Sequence, residues 1–125
     1  MKKPLPRPTD GELAILRVLW SIGPATVRQV CETLNQERPL AYTTVLRLLQ
    51  IMLDKGLVQR DEDQRTHVYH ARESEEHTQR HMLRDLLNRA FGGSSLQLVL
   101  QALSEKPLSQ EERAEVSRLL KEEKP

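Results

Sequence analysis

The stretch AYTTVLRLLQIMLDKGLVQR, residues 41–60, decides the fold. Its first part has helical periodicity. With Thr43 at zero and about 100° per residue, Val45, Leu48, Leu49 and Met52 fall between about 140° and 240°. Leu46 and Leu53 extend that apolar face to about 300°. Thr43, Arg47, Gln50 and Asp54 lie within about 40° of zero, and Thr44 near 100°. The spacing predicts a helix from about Thr43 to Lys55, closed by Gly56 as the residue just past its end. One face is core. The other carries side chains suited to reading base edges: arginine can fork to guanine, glutamine can pair with adenine, and threonine can reach a phosphate or a thymine methyl. A solvated helix face has the same look, so the flanking segments must decide.

Upstream, Thr9 and Glu12 form a capping-box pattern that opens a helix, with Leu13, Leu16 and Trp20 as its apolar stripe and Ile15 and Leu19 beside it. Gly23-Pro24 ends it. Thr26 and Gln29 repeat the pattern. Val27, Val30, Cys31 and Leu34 follow at i, i+3, i+4, i+7, a second amphipathic helix. A turn spans Asn35 to Pro39, and Pro39 disfavours helical geometry at Arg38. Downstream the period changes. Leu57–Arg60 and Thr66–Ala71 suggest two short strands joined by a polar connection, Asp61–Arg65, hence a hairpin with a charged tip. Three helices and a hairpin within about 65 residues describe a winged helix-turn-helix, and that order favours DNA binding over a solvated face.

The remainder is helical. Leu83, Leu86, Leu87, Ala90 and Phe91 form a stripe stopped by Gly92-Gly93. Ser95 is placed to cap a helix bearing Leu96, Val99, Leu100 and Leu103, which Pro107 ends. Ser109 and Glu112 make a third capping box ahead of Val116, Leu119 and Leu120. These three helices total about 45 residues, a length at which a core is marginal. Pairing with a second copy would complete it. The expected organisation is a flexible arm at 1–8, a winged-helix DNA-binding domain at 9–72 and a helical dimerisation domain at 73–125. The fold class is mainly α with one small β-hairpin.

Composition narrows the function. The 125 residues are 30% charged and 3% aromatic, with a net charge of +1. Residues 1–72 hold 11 Lys/Arg against 8 Asp/Glu, and residues 73–125 hold 8 against 10. The mild positive balance of the first part permits contact with nucleic acid. No apolar run approaches the roughly 20 residues needed to span a bilayer, and no signal-peptide pattern opens the chain. The expectation is a cytoplasmic protein without membrane insertion. One cysteine excludes an intramolecular disulfide framework.

At this stage the candidate DNA contacts are Tyr42, Thr43, Thr44, Arg47 and Gln50 on the third helix, Arg28 at the start of the second, and Arg60, Arg65 and Thr66 in or beside the wing, with His67 next to them. Lys2, Lys3 and Arg7 of the arm could track phosphates. Asp61, Glu62 and Asp63 work against the wing's positive charge. Tyr42 is placed to donate to a phosphate. Tyr69 suggests core, Trp20 a filler between the first helix and the hairpin, and Cys31 a small buried hydrophobe. His77 and His81 are spaced i, i+4, but H-T-Q-R-H lacks the glutamate of the zinc-protease motif, and a solvated surface is the better account. No nucleophile–base pair, phosphate loop or suitably spaced carboxylate pair is present, so neither an enzyme, a metal site nor a cofactor is expected.

The sequence resembles the penicillinase-repressor family of bacterial regulators (BlaI/MecI type, with the copper-responsive CopY repressors as relatives). The matching stretches are Glu12-Leu13 through Val18-Leu19-Trp20, the 41–60 block, HVYHA at 67–71 and FGGSSLQLVLQAL at 91–103. The F-G-G-S piece after a helix separates this family from other winged helices. The resemblance implies a homodimeric repressor bound to a dyad of double-stranded operator DNA, with Thr43, Thr44 and Arg47 facing the major groove. It implies that the C-terminal helices intertwine, with Leu83, Leu86, Leu87, Phe91, Leu96, Val99, Leu100, Leu103, Val116, Leu119 and Leu120 as the dimerisation residues. It also implies a membrane sensor metalloprotease as a partner, whose signal leads to cleavage in the dimerisation part. The family's cleavage point corresponds to Gln101-Ala102, where well-known members have Asn-Phe. Ile51 stands on the polar face of the third helix, where family members often carry a basic residue. The C-terminus lacks the cysteine pairs of the copper-responsive branch. The residues alone leave a second reading open, a winged-helix adaptor for protein partners without sequence-specific DNA binding.

Overall fold

A computed structural model of the protein describes residues 7–63 and 65–122. Residues 1–6, including Lys2 and Lys3 of the expected arm, lie outside the described residues. The elements run α1 (Asp10–Ile22), α2 (Val27–Leu34), α3 (Tyr42–Lys55), β1 (Val58–Asp61), β2 (Val68–Ala71), α4 (Glu75–Ala90), α5 (Ser95–Glu105) and α6 (Gln110–Glu122). They form two compact units, one up to Met82 and one from Leu83, with the division inside α4.

The first unit is a winged helix-turn-helix. Both of its capping boxes close: the Thr9 N–H donates to Glu12 Oε1 at 2.9 Å and the Thr26 N–H to Gln29 Oε1 at 2.9 Å, with each threonine hydroxyl accepting the reciprocal bond. The core is continuous across α1, α2, α3 and the hairpin. Ile15, Val30, Val45, Leu49 and Met52 are wholly enclosed, and Tyr69 is the largest buried side chain. α3 begins at Tyr42, one residue before its expected start, and ends at Gly56 in the left-handed region (φ 82°, ψ 18°). That conformation suits glycine and turns the chain straight into β1.

β1 and β2 pair antiparallel, with Arg60 opposite Tyr69 and Asp61 opposite Val68. β2 is shorter than expected and begins at Val68. The hairpin has a third participant the periodicity did not announce. Ala25, between α1 and α2, exchanges two backbone hydrogen bonds with Tyr69, at 2.9 and 2.8 Å. The wing is thereby sewn to the loop that launches α2.

In the second unit the elements follow the expected order, with one shift. Ser94, not Ser95, caps α5: its hydroxyl accepts the Gln97 N–H at 3.1 Å, and Ser95 is the first helical residue. α4 stops at Gly92-Gly93, both with positive φ, and the Gly93 N–H returns to the Leu87 carbonyl at 2.9 Å. No residue of α4, α5 or α6 is buried. Leu96, Leu119 and Leu120 are more than 60% exposed, and Leu83, Leu86, Val99, Leu100, Leu103 and Val116 are exposed as well. Leu87 and Phe91 are half-buried.

Candidate nucleic-acid interface

The outer face of α3 is built by its inner one. Val45, Leu49 and Met52 are sunk in the core. This forces Thr43, Thr44, Arg47 and Gln50 outward, and all four are exposed. The N-cap residue, Ala41, offers no side-chain bond, so the first N–H groups of α3 are uncapped by side chains. The partial positive charge of a helix start is then available to an anion.

Next to this end lies an open cleft of about 560 Å³, lined by Thr26, Val27, Arg28, Tyr42, Leu46, Arg65, Thr66, His67 and Tyr69. Four of the residues singled out from the sequence, Arg28, Tyr42, Arg65 and Thr66, therefore share one concavity between the starts of α2 and α3 and the wing. His67 joins them. Two arginines, a tyrosine, a threonine and a histidine lining one concavity supply donors of the kind that suit phosphate oxygens.

Arg60 is placed differently. Its guanidinium donates to Glu62 Oε1 and, at 3.5 Å, to the Tyr69 hydroxyl, and it lies 5.9 Å from the centre of the Tyr69 ring. The pairing with Arg60 holds the Glu62 carboxyl below its ordinary pKa. Arg60 is thus engaged in bracing the wing, while Arg65 and Thr66 stay exposed. Ile51 is half-buried, between exposed Gln50 and the core residue Met52.

Other candidates resolve into packing. Cys31 is buried and its thiol donates to the Leu40 carbonyl at 3.4 Å. Tyr69 is core, as its pattern suggested. Trp20 is half-buried and packed against the core, and its indole N–H donates to the Glu73 carbonyl, in the segment before α4. His77 Nε2 lies 3.8 Å from Glu73 Oε2. Among the described residues no three potential metal ligands converge, and no helix is long and apolar enough to cross a membrane.

Residues 8–122 match the family model described as penicillinase repressor. The chain belongs to the penicillinase-repressor family. Within it, this member is 48% identical over 66 residues to the transcriptional regulator BlaI of Mycobacterium tuberculosis, a match spanning 52% of this chain and about half (48%) of that relative. It is 27% identical over 124 residues to the penicillinase repressor of Bacillus licheniformis, covering 99% of this chain and 96% of that protein. The fold is similar to that of B. licheniformis BlaI solved in solution as a monomer in complex with the blaP half-operator. That match has a TM-score of 0.51 and 25% identity, over 61% of this chain and 92% of that one. Penicillinase repressors are a non-enzymatic family.

Proposed function

We propose that this penicillinase-repressor family member is a dimeric transcriptional repressor acting in the cytoplasm on a dyad operator. The observation that carries the reading is the juxtaposition of the exposed Thr43, Thr44, Arg47 and Gln50 face with the cationic cleft of Arg28, Tyr42, Arg65 and Thr66. The first set reads base edges from the major groove; the second grips phosphates beside it. The relative solved on a half-operator, with this same fold, supports the assignment.

Dimerisation rests on the second unit. A row of exposed leucines and valines on helices with no buried residue is an incomplete core, and a second copy of the same helices completes it. Joining two reading heads makes the second half-site contact intramolecular, at an effective concentration that reaches the mM range. Release then needs no change at the reading face. Gln101 and Ala102 are exposed in the middle of α5, so a membrane sensor metalloprotease could reach this segment once α5 opens locally. Cutting there would divide the dimerisation helices and abolish the linkage gain.

The test is binding of the purified protein to duplex DNA from the promoter of its own gene, at two salt concentrations, beside Arg47→Ala. Specific, salt-sensitive binding that the variant loses supports the reading. Absence of DNA binding by either protein at low salt would favour the adaptor reading instead.

A further inference from the structure

Glu12 is the one buried charged residue among the described residues, with 1% of its surface exposed. A carboxylate in that position needs a reason, because burying a charge is costly unless it is paired. Capping α1 does not supply one. The same box at α2 is closed by a neutral glutamine, Gln29, at the same 2.9 Å distance. What Gln29 lacks is a cationic partner. Lys55 Nζ donates to both oxygens of Glu12, at 3.0 and 2.9 Å, across 43 residues of sequence.

Lys55 is the last residue of α3 and Gly56 turns the chain into the wing. The pair therefore anchors the end of α3 remote from Arg47, at the point from which β1 departs. About two turns up α3 from Lys55, next to Arg47, α1 and α3 also approach closely: a Cβ on Gly11 would lie 3.4 Å from Leu48 Cδ1. Apolar packing in this interface is non-directional, whereas a two-oxygen ion pair is directional. The lever is long. From Lys55 to Arg47 is eight residues, roughly 12 Å of helix. A tilt of about 5° at the anchored end moves Arg47 by about 1 Å, beyond the roughly 0.5 Å tolerance of a preorganised polar contact. The pair is buried at Glu12 and partly exposed at Lys55, 1% and 35%; ion pairs taken out of water add little net stability, and fixing one geometry is the use best attested for them.

We propose that Glu12 and Lys55 are positioning residues for base reading, holding α3 and the wing at the angle that sequence-specific contact requires. The inference rests on the operator-binding reading above. It separates specificity from affinity: phosphate contacts tolerate a small tilt, and bidentate base contacts do not.

The experiment measures affinity of the full chain for an operator duplex and for an unrelated duplex of equal length, with a thermal melt to establish that each variant is folded at the assay temperature. Glu12→Gln retains the cap in the manner of Gln29 and removes the pair. The expected result is a loss of operator preference of about tenfold or more, the size of one base contact, with affinity for the unrelated duplex within about twofold of wild type. Lys55→Met, at a partly exposed position less prone to unfold the chain, should reproduce that loss, and the double variant should be no worse than either single one. A lowered melting temperature with operator preference unchanged in both variants would overturn the proposal. So would Lys55→Met weakening both duplexes equally, since Lys55 would then be a phosphate contact. A wild-type chain with no operator preference would instead overturn the operator-binding reading, and the positioning role with it.

Discussion

The indole N–H of Trp20 donates to the backbone carbonyl of Glu73 at 3.0 Å, tying α1 to the residues that lead into α4. Both residues belong to the first compact unit, which runs past the hairpin to Met82. Trp20→Phe keeps the aromatic bulk and deletes the donor. It should cost about 1 kcal/mol of unfolding free energy, the ordinary net worth of one hydrogen bond. Urea denaturation of wild type and variant checks this. A variant as stable as wild type would mean that water replaces the indole without loss.

Arg47→Ala removes an exposed side chain that supports no packing, so the fold should be unaffected. Operator affinity should fall by about 1–3 kcal/mol, and affinity for unrelated DNA by much less. Removing Arg28 or Arg65 from the cleft should have the other signature: a nearly uniform loss across sequences and a salt dependence shallower by about one unit of slope. Titrations at several salt concentrations distinguish the two classes.

Gly56→Ala tests the turn between α3 and the wing. Gly56 has φ of 82°, and a Cβ there would sit 3.0 Å from Arg72 Nη1. Arg72 can swing aside, so most of the cost is the left-handed backbone, about 1–2 kcal/mol for a residue with a Cβ. A smaller midpoint in urea with an unchanged slope is the expected result.

Much of this architecture was legible because it is local. The capping boxes at Thr9/Glu12, Thr26/Gln29 and Ser109/Glu112 are i, i+3 chemistry, and all three form as the sequence indicated. The exposed face of α3 followed from one period, since burying Val45, Leu49 and Met52 leaves Arg47 no other direction. What escaped was long-range. The pairing of Ala25 with Tyr69 has no signature in the short G-P-A-T segment, which lacks alternation. The partnership of Arg60 with Glu62 and Tyr69 removed an arginine that composition alone counts as free. Glu12 had a sufficient local account as a cap, and Lys55 stood only as the last residue of its helix, so neither signalled the other.

That ion pair also sets the response to acid. Burial raises the Glu12 carboxyl, but the Thr9 N–H and the Lys55 ammonium outweigh it, and the pKa lies below the ordinary value of 4.5. A carboxylate depressed on folding contributes stability above its unfolded pKa and loses that contribution as pH falls through the folded one. Stability should therefore decline as pH drops below about 4.5, and Glu12→Gln should flatten that part of the profile. Unfolding free energies between neutral and acid pH provide the check. An equally steep acid decline in the variant would assign it to other carboxylates, of which Glu112, held low by the Ser109 N–H and hydroxyl, is one.

The second unit makes the most demanding prediction, because no residue of its helices is fully buried within one chain. Leu96 and Leu100 stand one turn apart on α5, 67% and 55% exposed. In a lone chain, Leu96→Asp with Leu100→Asp would be an inconsequential surface change, within about 0.5 kcal/mol. In a dimer that closes over this stripe, the same carboxylates are buried without partners, and association fails. Sedimentation should show wild type as a dimer and the double variant as a monomer. The DNA readout then separates linkage from recognition. Affinity for a single half-site should be unchanged, since Arg47 and the cleft are untouched, while affinity for the full dyad should fall by one or more decades as the mM-scale effective concentration is lost. A double variant that remains dimeric would move the dimer contact off α5, and one that is monomeric yet binds the dyad at full strength would show that operator affinity does not depend on joining the two heads.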